Sequence, residues 1–359
     1  MSTAWFTNAL VPWYREHKRP LPWRRTTDPY SVWLSEVILQ QTRVDQGTAY
    51  WLRFMDRFPR VELLAAASED EVLRLWQGLG YYSRARNLLA AARQVVERHG
   101  GLFPTTHAEL LQLKGVGDYT AAAIASICFD QPEAVVDGNV YRVLARVFGI
   151  ATPIDSTEGR TEFRALAGQL IDPYMPGDHN QAVMELGATV CTPLKPSCIQ
   201  CPLANRCHAL AQGRIDALPV KAGRVHVRER HLNYLHVAIG SGLYMQQRGP
   251  GDIWQGLWEL PLVETDAPLG PRSFHKLAAL LPTGRQGGQW KLLEQLGPVK
   301  HVLSHQHLIA RFWKVRAPVD WIPPPEWRMV TMQDLAEMAI PRLMERYLAD
   351  IGNESTRLV

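Results

Sequence analysis

The sequence predicts an all-α domain that carries a four-cysteine module, followed by a smaller α+β domain. Up to about residue 210, apolar residues recur at helical spacing behind helix-capping residues. Beyond about residue 230, the hydrophobic period shortens towards two, which is typical of strands. We therefore expect a helical domain over residues 1–212, a linker over 213–230 and the second domain over 231–359.

Composition places the chain among globular proteins long enough for two domains. It has 359 residues, of which 46% are hydrophobic, enough to bury a substantial core. No apolar run approaches the roughly 20 residues needed to span a bilayer. The N-terminal MSTAWFTNAL lacks the charged and apolar regions of a signal peptide. The formal net charge of +4 permits a polyanionic partner without requiring one.

Capping residues mark the predicted helices of the first domain. Asp28 followed by Pro29 predicts a helix over YSVWLSEVILQQT, because proline suits the first helical position. A side-chain oxygen followed three residues later by Glu or Gln forms the capping-box pattern. That pattern predicts further helix starts at Ser68 with Glu71, Thr106 with Glu109 and Asp178 with Gln181.

The second domain has strand-like segments that follow a polar, basic linker. The segment QGRIDALPVKAGRVHVRER has little periodicity, as expected of a linker. LNYLHVAI, GLYMQQR, KHVLSH and HLIARFWKVR have the pattern of strands and are separated by Gly and Pro clusters. The segment MQDLAEMAIPRLMERYLADI is predicted to be one helix, bent at Pro341.

Four of the five cysteines lie close together, at Cys191, Cys198, Cys201 and Cys207, in the pattern C-x6-C-x2-C-x5-C. Four thiolates on one short segment can hold either zinc or an iron–sulfur cluster. Disulfides are disfavoured because nothing in the sequence directs the chain to an oxidising compartment. Zinc sites usually contain two short Cys-x2-4-Cys pairs, whereas here a single short pair is flanked by wider gaps, which favours the bulkier cluster. Spacing alone leaves zinc open.

A glycine hairpin is predicted between two helices at Gly115, Val116 and Gly117, within LKGVGDYTAAAIA. Two glycines around one apolar residue permit a turn so tight that backbone N–H groups at the start of the second helix point outwards. Such groups bind phosphate and read no base sequence. With basic segments such as REHKRPLPWRR elsewhere in the chain, the hairpin predicts contact with a DNA backbone, although a basic segment alone is equally typical of a solvated surface.

Two carboxylates are candidates for acid–base chemistry. Glu36 is the only charged residue in YSVWLSEVILQQT, so it either faces solvent or lies in an apolar pocket that raises its pKa. Asp137 lies in AVVDGNVYRVLARV, where an aspartate usually caps the following helix and can still present its carboxylate to a cleft. A protonated acid beside an ionised carboxylate is the pair that cleaves a glycosidic bond.

Seven features in a fixed order connect these observations. They are LPWR, SEVILQQTRV, GLGYYSRARNL, LKGVGDYTAAAI, VVDGNVYRV, MELGATVC and the four-cysteine pattern. Together they closely resemble the adenine DNA glycosylases of the MutY family, within the endonuclease III superfamily of helix-hairpin-helix glycosylases. The resemblance covers the first 210 residues and implies an all-helical fold, with DNA between a six-helix barrel module and a cluster module. It also implies one 4Fe-4S cluster on the cysteines and hydrolytic removal of adenine mispaired with 8-oxoguanine or guanine.

The resemblance also implies roles for individual residues. Glu36 matches the general acid towards the adenine ring, and Asp137 matches the carboxylate at the anomeric carbon of the sugar. Tyr119 and Asn139 match residues that support this pair. Residues that match the pocket for the flipped adenine are Trp23, Arg24, Leu39 and Glu185. Gln41 and Tyr81 match residues that enter the base stack. The hairpin on the phosphate backbone is matched by Gly115, Val116 and Gly117.

Tyr119 separates two subclasses of this superfamily. Bifunctional relatives that resemble endonuclease III carry a lysine where this chain has Tyr119, and without that amine no Schiff base with the sugar is expected. We therefore expect a monofunctional enzyme that leaves an abasic site. The competing interpretations are a bifunctional glycosylase–lyase and a non-catalytic DNA-binding protein with a structural zinc site.

The second domain resembles the C-terminal domain of MutY proteins, which has the Nudix hydrolase fold and helps to recognise 8-oxoguanine. The resemblance rests on GLYMQQRGPGDIWQGLWELP and HVLSHQHLIARFW. The sequence contains no Nudix box, so pyrophosphatase chemistry is not expected. Where the family has a Phe-Ser-His loop that senses the lesion, this chain has Leu303, Ser304 and His305, which keep the polar members without the aromatic one.

The resemblance further implies the partners of the protein. We expect a monomer that binds double-stranded DNA containing an adenine mispair, with replication or repair proteins as further candidate partners. The expected location is the bacterial cytoplasm, at the nucleoid, with no membrane association.

Overall fold

The computed structural model of the chain describes residues 4–223, 227–239, 242–282 and 288–356. The chain forms two compact units: the first comprises Met1–Ala67 and Asn87–Arg224, and the second comprises Ser68–Arg86 and Val225–Val359. The first unit is helical and the second contains a sheet, as the sequence predicts. Residues 224–226 of the predicted linker lie outside the described residues.

The first unit consists of helices joined by short turns. Helix α5 (Glu69–Trp76) belongs to the second unit, and α6 (Ser83–His99) begins in the second unit and continues in the first. The other helices of the first unit are α1 (Ala4–His17), α2 (Pro29–Leu39), α3 (Val44–Arg57), α4 (Val61–Ala66), α7 (His107–Leu110), α8 (Asp118–Phe129), α9 (Gly138–Phe148), α10 (Thr157–Leu170), α11 (Pro176–Thr189) and α12 (His208–Ala211).

Three of the predicted helix caps are confirmed. Asp28 accepts a hydrogen bond of 2.9 Å from the backbone N–H of Ser31, with Pro29 as the first residue of α2. The hydroxyls of Ser68 and Thr106 accept the corresponding hydrogen bonds at the starts of α5 and α7. Each cap satisfies an N–H group that has no partner within its helix.

The predicted cap at Asp178 is wrong. Helix α11 begins two residues earlier, at Pro176, because proline already has the backbone angle of a first helical residue. Asp178 lies inside the first turn, where its carboxylate accepts hydrogen bonds of 2.9 and 2.8 Å from the guanidinium of Arg15.

Helices α2 and α8 form the centre of the first unit. Every residue of α2 from Tyr30 to Ile38 is buried, and α8 is buried from Thr120 to Ser126. The two helices pack against each other, and the alanine-rich sequence of α8 permits a close approach. Because α2 has almost no solvent-facing side, it carries Glu36 into the interior of the unit.

Helices α9 and α11 also approach closely, at Gly187. A Cβ atom added to Gly187 would lie 2.6 Å from the Cβ atom of Asn139, closer than folded proteins allow. Glycine is therefore required at this position. The contact places the start of α9 directly against α11.

An extended segment leads into α9 and is held by Asn180. The buried Asn180 side chain accepts a hydrogen bond of 3.0 Å from the N–H of Val135. It donates to the carbonyl of Glu133 at 2.8 Å and to the hydroxyl of Ser126 at 2.9 Å. The three hydrogen bonds fix the path of the chain just before Asp137.

The first half of the predicted linker is ordered against the first unit. The N–H of Ile154 donates to the carbonyl of Val220 at 3.0 Å. Asp155 accepts hydrogen bonds of 2.8 and 3.1 Å from the N–H groups of Ala222 and Gly223. The last residues of the predicted linker, from Arg228, are the first residues of a strand.

The second unit contains a mixed sheet, and the predicted strands are all present. Strand β1 (Arg228–Ile239) is parallel to β6 (Gln306–Arg316) and antiparallel to β2 (Gly242–Gln247) and β4 (Leu262–Thr265). β6 also pairs antiparallel with β5 (Lys291–Val302), which begins earlier than predicted. β2 also pairs antiparallel with β3 (Trp258–Glu259) and β7 (Trp327–Thr331). A short turn at residues 303–305 connects β5 to β6.

Apolar side chains cover both faces of this sheet. Along β1, Leu232 and Tyr234 belong to one core, whereas Leu235 and Val237 belong to a second core. The alternation follows from the two-residue period of a strand. The first core also receives the C-terminal helix α15 (Arg342–Thr356), and the second packs against α13 (Phe274–Ala278).

A buried ionic network anchors the loop that follows β2. The guanidinium of Arg230 makes hydrogen bonds of 2.7 Å to both carboxylate oxygens of Asp252 and also binds Glu264. Arg248 binds Asp252 at 2.6 Å and Glu259 at 2.8 Å. These arginines hold the pKa of Asp252 well below its usual range, so Asp252 stays ionised.

The predicted single C-terminal helix is wrong, because the segment forms two helices. Helix α14 (Met332–Leu335) ends well before Pro341, and α15 begins directly after it, at Arg342. Proline lacks the N–H needed within a helix and instead starts a new one. None of the helices in the described ranges is both long enough and apolar enough to cross a bilayer.

We expect Asn180→Ala to lower the free energy of unfolding by roughly 2–3 kcal/mol, because it leaves the buried Val135 N–H without an acceptor and takes a donor from the Ser126 hydroxyl oxygen. Urea unfolding followed by circular dichroism measures the change. The exposed Thr161→Ala variant in α10 is the control and should change stability by less than about 0.5 kcal/mol. Equal stability of the two variants would contradict the role given to Asn180.

Candidate active site

A cleft of about 730 Å³ opens in the first unit. Its walls come from the turn at Pro22–Arg25, the end of α2, the starts of α8 and α9, and the middle of α11. The predicted site residues that line it are Trp23, Arg24, Glu36, Leu39, Gln41, Gly115, Gly117, Tyr119, Asp137, Asn139 and Glu185. The fold therefore brings together side chains from distant parts of the sequence.

Glu36 is buried in this cleft, with 9% of its surface exposed. Its Oε2 atom accepts a hydrogen bond of 2.5 Å from the hydroxyl of Tyr119. Burial raises the pKa of Glu36 to about 7, against the opposing effect of this hydrogen bond, and the nearby Asp137 raises it further. Glu36 can therefore hold a proton near neutral pH and give it up to a bound group.

Asp137 caps helix α9 and faces the same cleft. Its Oδ1 atom accepts hydrogen bonds of 2.9 and 2.8 Å from the N–H groups of Asn139 and Val140, and its Oδ2 atom accepts one of 2.8 Å from the Asn139 amide. Burial raises the pKa of Asp137, and these hydrogen bonds oppose the rise. All three donors and the helix N-terminus favour the charged form, so Asp137 is the carboxyl suited to carry negative charge.

Asn139 is held in turn by Arg142. The Nη2 atom of Arg142 donates to Oδ1 of Asn139 at 2.8 Å and to the carbonyl of Gly187 at 2.7 Å. Its Nε atom donates to the carbonyl of Cys191 at 2.6 Å. One guanidinium thus joins the start of α9, the end of α11 and the first cysteine.

Glu185 is a buried carboxylate held between two arginines. Arg19 donates to its two oxygens at 2.8 Å through Nε and Nη2, and Arg24 donates to Oε2 at 2.8 Å. Although burial raises it, these hydrogen bonds lower the pKa of Glu185 to about 2. Glu185 therefore stays ionised at the pH where Glu36 is protonated.

The glycine hairpin is present between α7 and α8. Gly115 has a φ of +76°, and a Cβ atom there would lie 2.6 Å from the Cβ atom of Asn87, so only glycine fits. Gly117 is the N-cap of α8. The Val116 side chain is buried, and its N–H donates to the carbonyl of Leu113 at 3.1 Å, within the hairpin itself.

Gln41 and Tyr81, both predicted to enter the base stack, have backbone conformations that residues other than glycine rarely adopt. Their φ angles are +57° and +46°. Such a residue costs about 1–3 kcal/mol and persists only where its surroundings hold it, often at functional sites. Tyr81 is also 42% exposed, which leaves its ring available to a partner.

The second unit contains its own cavity of about 520 Å³, lined by Tyr81, Ser304, His305 and Trp254. The hydroxyls of Tyr81 and Ser304 form a hydrogen bond. Leu303 packs against the apolar core of the sheet. Leu303, which replaces the aromatic member of the loop, therefore contacts the core and also lines the cavity.

The four cysteines predicted to bind metal line one small pocket, and none forms a disulfide. Arg146, 2% exposed, donates to the Sγ atom of Cys191 at 3.4 Å. Burial raises the pKa of Cys201 to about 11, and the neighbouring cysteines add to the rise, so four thiolates here require a compensating cation. Within the residues that the structure describes, no group of His, Cys, Asp and Glu side chains is arranged to hold a metal ion.

Comparisons with known proteins establish the family. Residues 34–168 match the HhH-GPD superfamily base excision DNA repair protein, and residues 234–350 match the NUDIX domain. The chain is 39% identical to the adenine DNA glycosylase of Mus musculus, over 95% of this chain and 76% of that protein. The chain belongs to the adenine DNA glycosylase family.

Solved structures share the fold of the helical part of the chain. A thermostable thymine-DNA glycosylase, 27% identical, superposes with a TM-score of 0.54 over 58% of this chain and 97% of its own. A non-covalent endonuclease III–DNA complex, 20% identical, shares the fold, with a TM-score of 0.51 over 59% and 98% of the two chains. The predicted fold class of a helical glycosylase domain followed by a Nudix-like domain is confirmed.

Membership of the adenine DNA glycosylase family also fixes the activity in outline. The protein is a DNA-binding glycosylase of base excision repair that removes adenine. The alternatives of a non-catalytic DNA-binding protein and of an endonuclease III-type lyase are not favoured by this membership.

The sequence did not identify some residues that line the cleft of this adenine DNA glycosylase. Arg19 pairs with Glu185, and Met184 accepts a hydrogen bond of 3.5 Å from the Tyr119 hydroxyl through its sulfur. Gln181, also in the cleft, accepts one of 3.0 Å from Tyr14. The basic segment around Arg19 was noted in the sequence, but Glu185, the carboxylate with which Arg19 pairs, lies far away in sequence.

In the free enzyme, we expect Glu36→Gln to increase stability above neutral pH. Burial raises the pKa of Glu36 to about 7 from its ordinary 4.5, so its stabilising contribution is present below the lower value and is lost as pH rises through about 7. Glutamine resembles the protonated form and avoids this loss. The variant should exceed the wild type by roughly 3 kcal/mol at about pH 8.5 and by less than about 1 kcal/mol near pH 5.

Urea unfolding at these two pH values measures the difference. The matched control is Glu162→Gln on the exposed face of α10, which should show no such pH dependence. A Glu36→Gln difference that is the same at both pH values would contradict the raised pKa.

Proposed function

We propose that this glycosylase removes adenine opposite 8-oxoguanine or guanine by acid-assisted hydrolysis of the N-glycosidic bond. The observation that carries the proposal is the pairing in one cleft of two carboxyls with different surroundings. Burial favours the protonated form of Glu36, while three N–H donors favour the ionised form of Asp137. This is the pair that glycoside cleavage requires.

Glu36 acts as the general acid in this proposal. Tyr119 donates to Oε2 of Glu36, which leaves the other carboxyl oxygen to carry the proton towards the adenine ring. Protonation turns adenine into a neutral leaving group, so the bond to the sugar breaks more easily. The Tyr119 hydroxyl keeps its own proton, because burial and the adjacent Glu36 carboxyl raise its pKa well above the usual value.

Asp137 stabilises the positive charge that develops on the sugar as adenine leaves. Its Oδ1 atom is engaged by two backbone N–H groups, whereas Oδ2 has a single donor, the Asn139 amide, among the contacts described here. The Oδ2 side therefore has the greater capacity for a cationic anomeric carbon. Asn139, fixed by Arg142, prevents the carboxylate from rotating.

The remaining cleft residues bind the extruded nucleotide. Trp23, Arg24, Leu39 and Glu185 form the adenine pocket, in which the ionised Glu185 is an acceptor for N–H groups. Gln41 and Tyr81 enter the base stack. The hairpin of Gly115, Val116 and Gly117 binds the phosphate backbone at the start of α8.

The oxidised base is recognised in the second unit in this proposal. Ser304 and His305 supply hydrogen-bonding groups beside Tyr81, in the same cavity. Because Leu303 has no aromatic ring, it supplies no ring stacking at the position that is aromatic in the family.

We also propose that Cys191, Cys198, Cys201 and Cys207 hold a 4Fe-4S cluster. Four convergent thiols around one pocket fit it, because a four-iron cluster separates its ligands more widely than a single ion does. When bound, the cluster would supply structural support to the segment after α11. The Arg146 guanidinium beside Cys191 offsets thiolate charge. The monomeric state, the cytoplasmic location at the nucleoid and any protein partners stay predictions.

The first test is adenine release under single-turnover conditions from duplexes with adenine opposite 8-oxoguanine, guanine or thymine. Release should be fastest opposite 8-oxoguanine and should fall about tenfold per pH unit above pH 7, as Glu36 loses its proton. Glu36→Gln and Asp137→Asn should each reduce the rate by roughly 10²–10⁴-fold at retained DNA binding.

Hot alkali treatment of the product tests the monofunctional reaction. Strand breaks should form only after alkali, since Tyr119 provides no amine for a Schiff base. Equal cleavage without alkali would contradict the assignment of Tyr119. Absence of adenine release opposite 8-oxoguanine would contradict the proposed substrate.

The second test is the cofactor. The purified protein should be brown, with broad absorption in the violet region and bound iron, and Cys201→Ser should lose both. Cys128→Ser is the matched control, because Cys128 does not line the four-cysteine pocket, and it should keep the colour. A colourless wild-type protein that contains zinc would contradict the cluster.

A further inference from the structure

Arg84, near the start of α6, is a buried arginine that the proposed mechanism does not use. It is 9% exposed. Its Nη2 atom donates to the carbonyls of Leu79 and Gly80 at 3.4 and 3.2 Å. Its guanidinium lies 5.0 Å from the ring centre of Trp76 and 5.8 Å from that of Tyr81. A buried guanidinium is costly to desolvate, so its hydrogen bonds and ring contacts must offset that cost.

The backbone that Arg84 contacts is strained. Gly78, Gly80 and Tyr81 have φ angles of +95°, +74° and +46°. Glycines reach such angles easily, whereas a residue with a Cβ atom, such as Tyr81, pays an energetic cost. A tyrosine keeps this conformation only where neighbouring groups over-determine it.

Several contacts converge on these residues and Arg84 connects them. The indole N–H of Trp76 donates to the Gly80 carbonyl at 3.0 Å, the same oxygen that Arg84 binds. The backbone N–H of Arg84 donates to the Tyr81 carbonyl at 2.9 Å. The Tyr82 hydroxyl accepts a hydrogen bond of 3.3 Å from the N–H of Gly78. Removing the guanidinium would take one donor from each of the Leu79 and Gly80 carbonyls and remove the cation beside the Tyr81 ring.

We propose that Arg84 is a positioning residue for Tyr81: its guanidinium clamps the Leu79 and Gly80 carbonyls and supports the Tyr81 ring, so that the ring is set for insertion before DNA arrives. This inference rests on the proposed role of Tyr81 in the base stack. Arg84 itself touches neither the DNA nor the reacting atoms. Preorganisation of this kind saves the conformational entropy of ordering the loop on binding.

Two other roles for Arg84 give different results. If Arg84 contacted a phosphate, Arg84→Met would bind DNA with a weaker salt dependence: the slope of log affinity against log salt concentration would fall by roughly one. A general structural role would lower thermal stability and act independently of Tyr81. Positioning acts only through Tyr81, so its effect disappears when the ring is absent.

The experiment compares Arg84→Met, Tyr81→Ala and the double variant in the full-length protein. The substrate for binding carries 8-oxoguanine opposite a non-cleavable adenine analogue, with a fluorescent purine analogue beside the lesion that brightens when it is unstacked. Cleavable adenine in the same duplex gives single-turnover rates. The matched control is Arg93→Met, because Arg93 lies on the same helix and donates to the carbonyls of Ala65 and Ala67 at 3.1 and 3.0 Å.

We expect Arg84→Met to reduce the fluorescence increase and to slow excision about tenfold, the size of a lost hydrogen bond from a charged donor. Tyr81→Ala should do the same, and the double variant should be no worse than Tyr81→Ala alone. Arg93→Met should keep the wild-type fluorescence and rate even where its melting temperature falls. The salt dependence of binding by Arg84→Met should equal that of the wild type.

Losses that multiply in the double variant, or a reduced salt slope for Arg84→Met, would overturn the positioning role. Normal fluorescence and rate in Tyr81→Ala would overturn the role of Tyr81 in the base stack and, with it, that of Arg84. Loss in Tyr81→Ala with normal behaviour of Arg84→Met would overturn only the present inference. If the methionine variant does not fold, Arg84→Lys replaces it; lysine keeps the charge without the planar fork, and wild-type fluorescence in that variant would overturn the clamp.

Discussion

The start of helix α9 is the constraint on which the active site depends. A helix exposes unpaired N–H groups at its first turn, and in this chain the side chain that satisfies them is Asp137. Capping fixes the carboxylate in place and favours its charged form against the effect of burial, and the segment held by Asn180 determines where the cap can form. The group that stabilises the helix is therefore the group that faces the substrate, so fold and chemistry cannot be varied separately at this position.

Three carboxyls in one cleft differ in protonation because their surroundings differ. Glu36 lies among apolar side chains and one hydroxyl, so desolvation dominates and its pKa rises. Glu185 is also buried, but the guanidinium groups of Arg19 and Arg24 outweigh desolvation, and its pKa falls. Asp137 has neutral N–H donors, which oppose the effect of burial without cancelling it. The nature of the donor, more than the depth of burial, decides which group carries charge.

Local signals predicted much of the fold. The caps at Asp28, Ser68 and Thr106 form hydrogen bonds to a backbone N–H three residues along the chain, so a short stretch of sequence is enough to predict them. The prediction failed at Asp178, where an earlier proline competes for the same helix start. Among site residues, Glu36 was recognisable as the single charge in an apolar helix. Whether it faces solvent or a pocket could not be predicted, because its partner Tyr119 is distant in sequence.

The pairing of Arg19 with Glu185 illustrates the limit of such reasoning, because neither residue has a local pattern that names the other. The contact at Gly187 shows a different kind of control. Here the place of Asn139 is set by a side chain that is missing, since any added carbon would overlap with it. Attractive contacts in this cleft change with acidity and ionic strength, whereas excluded volume does not. The geometry of the amide that steadies Asp137 is thus insulated from the solution conditions that govern the charges around it.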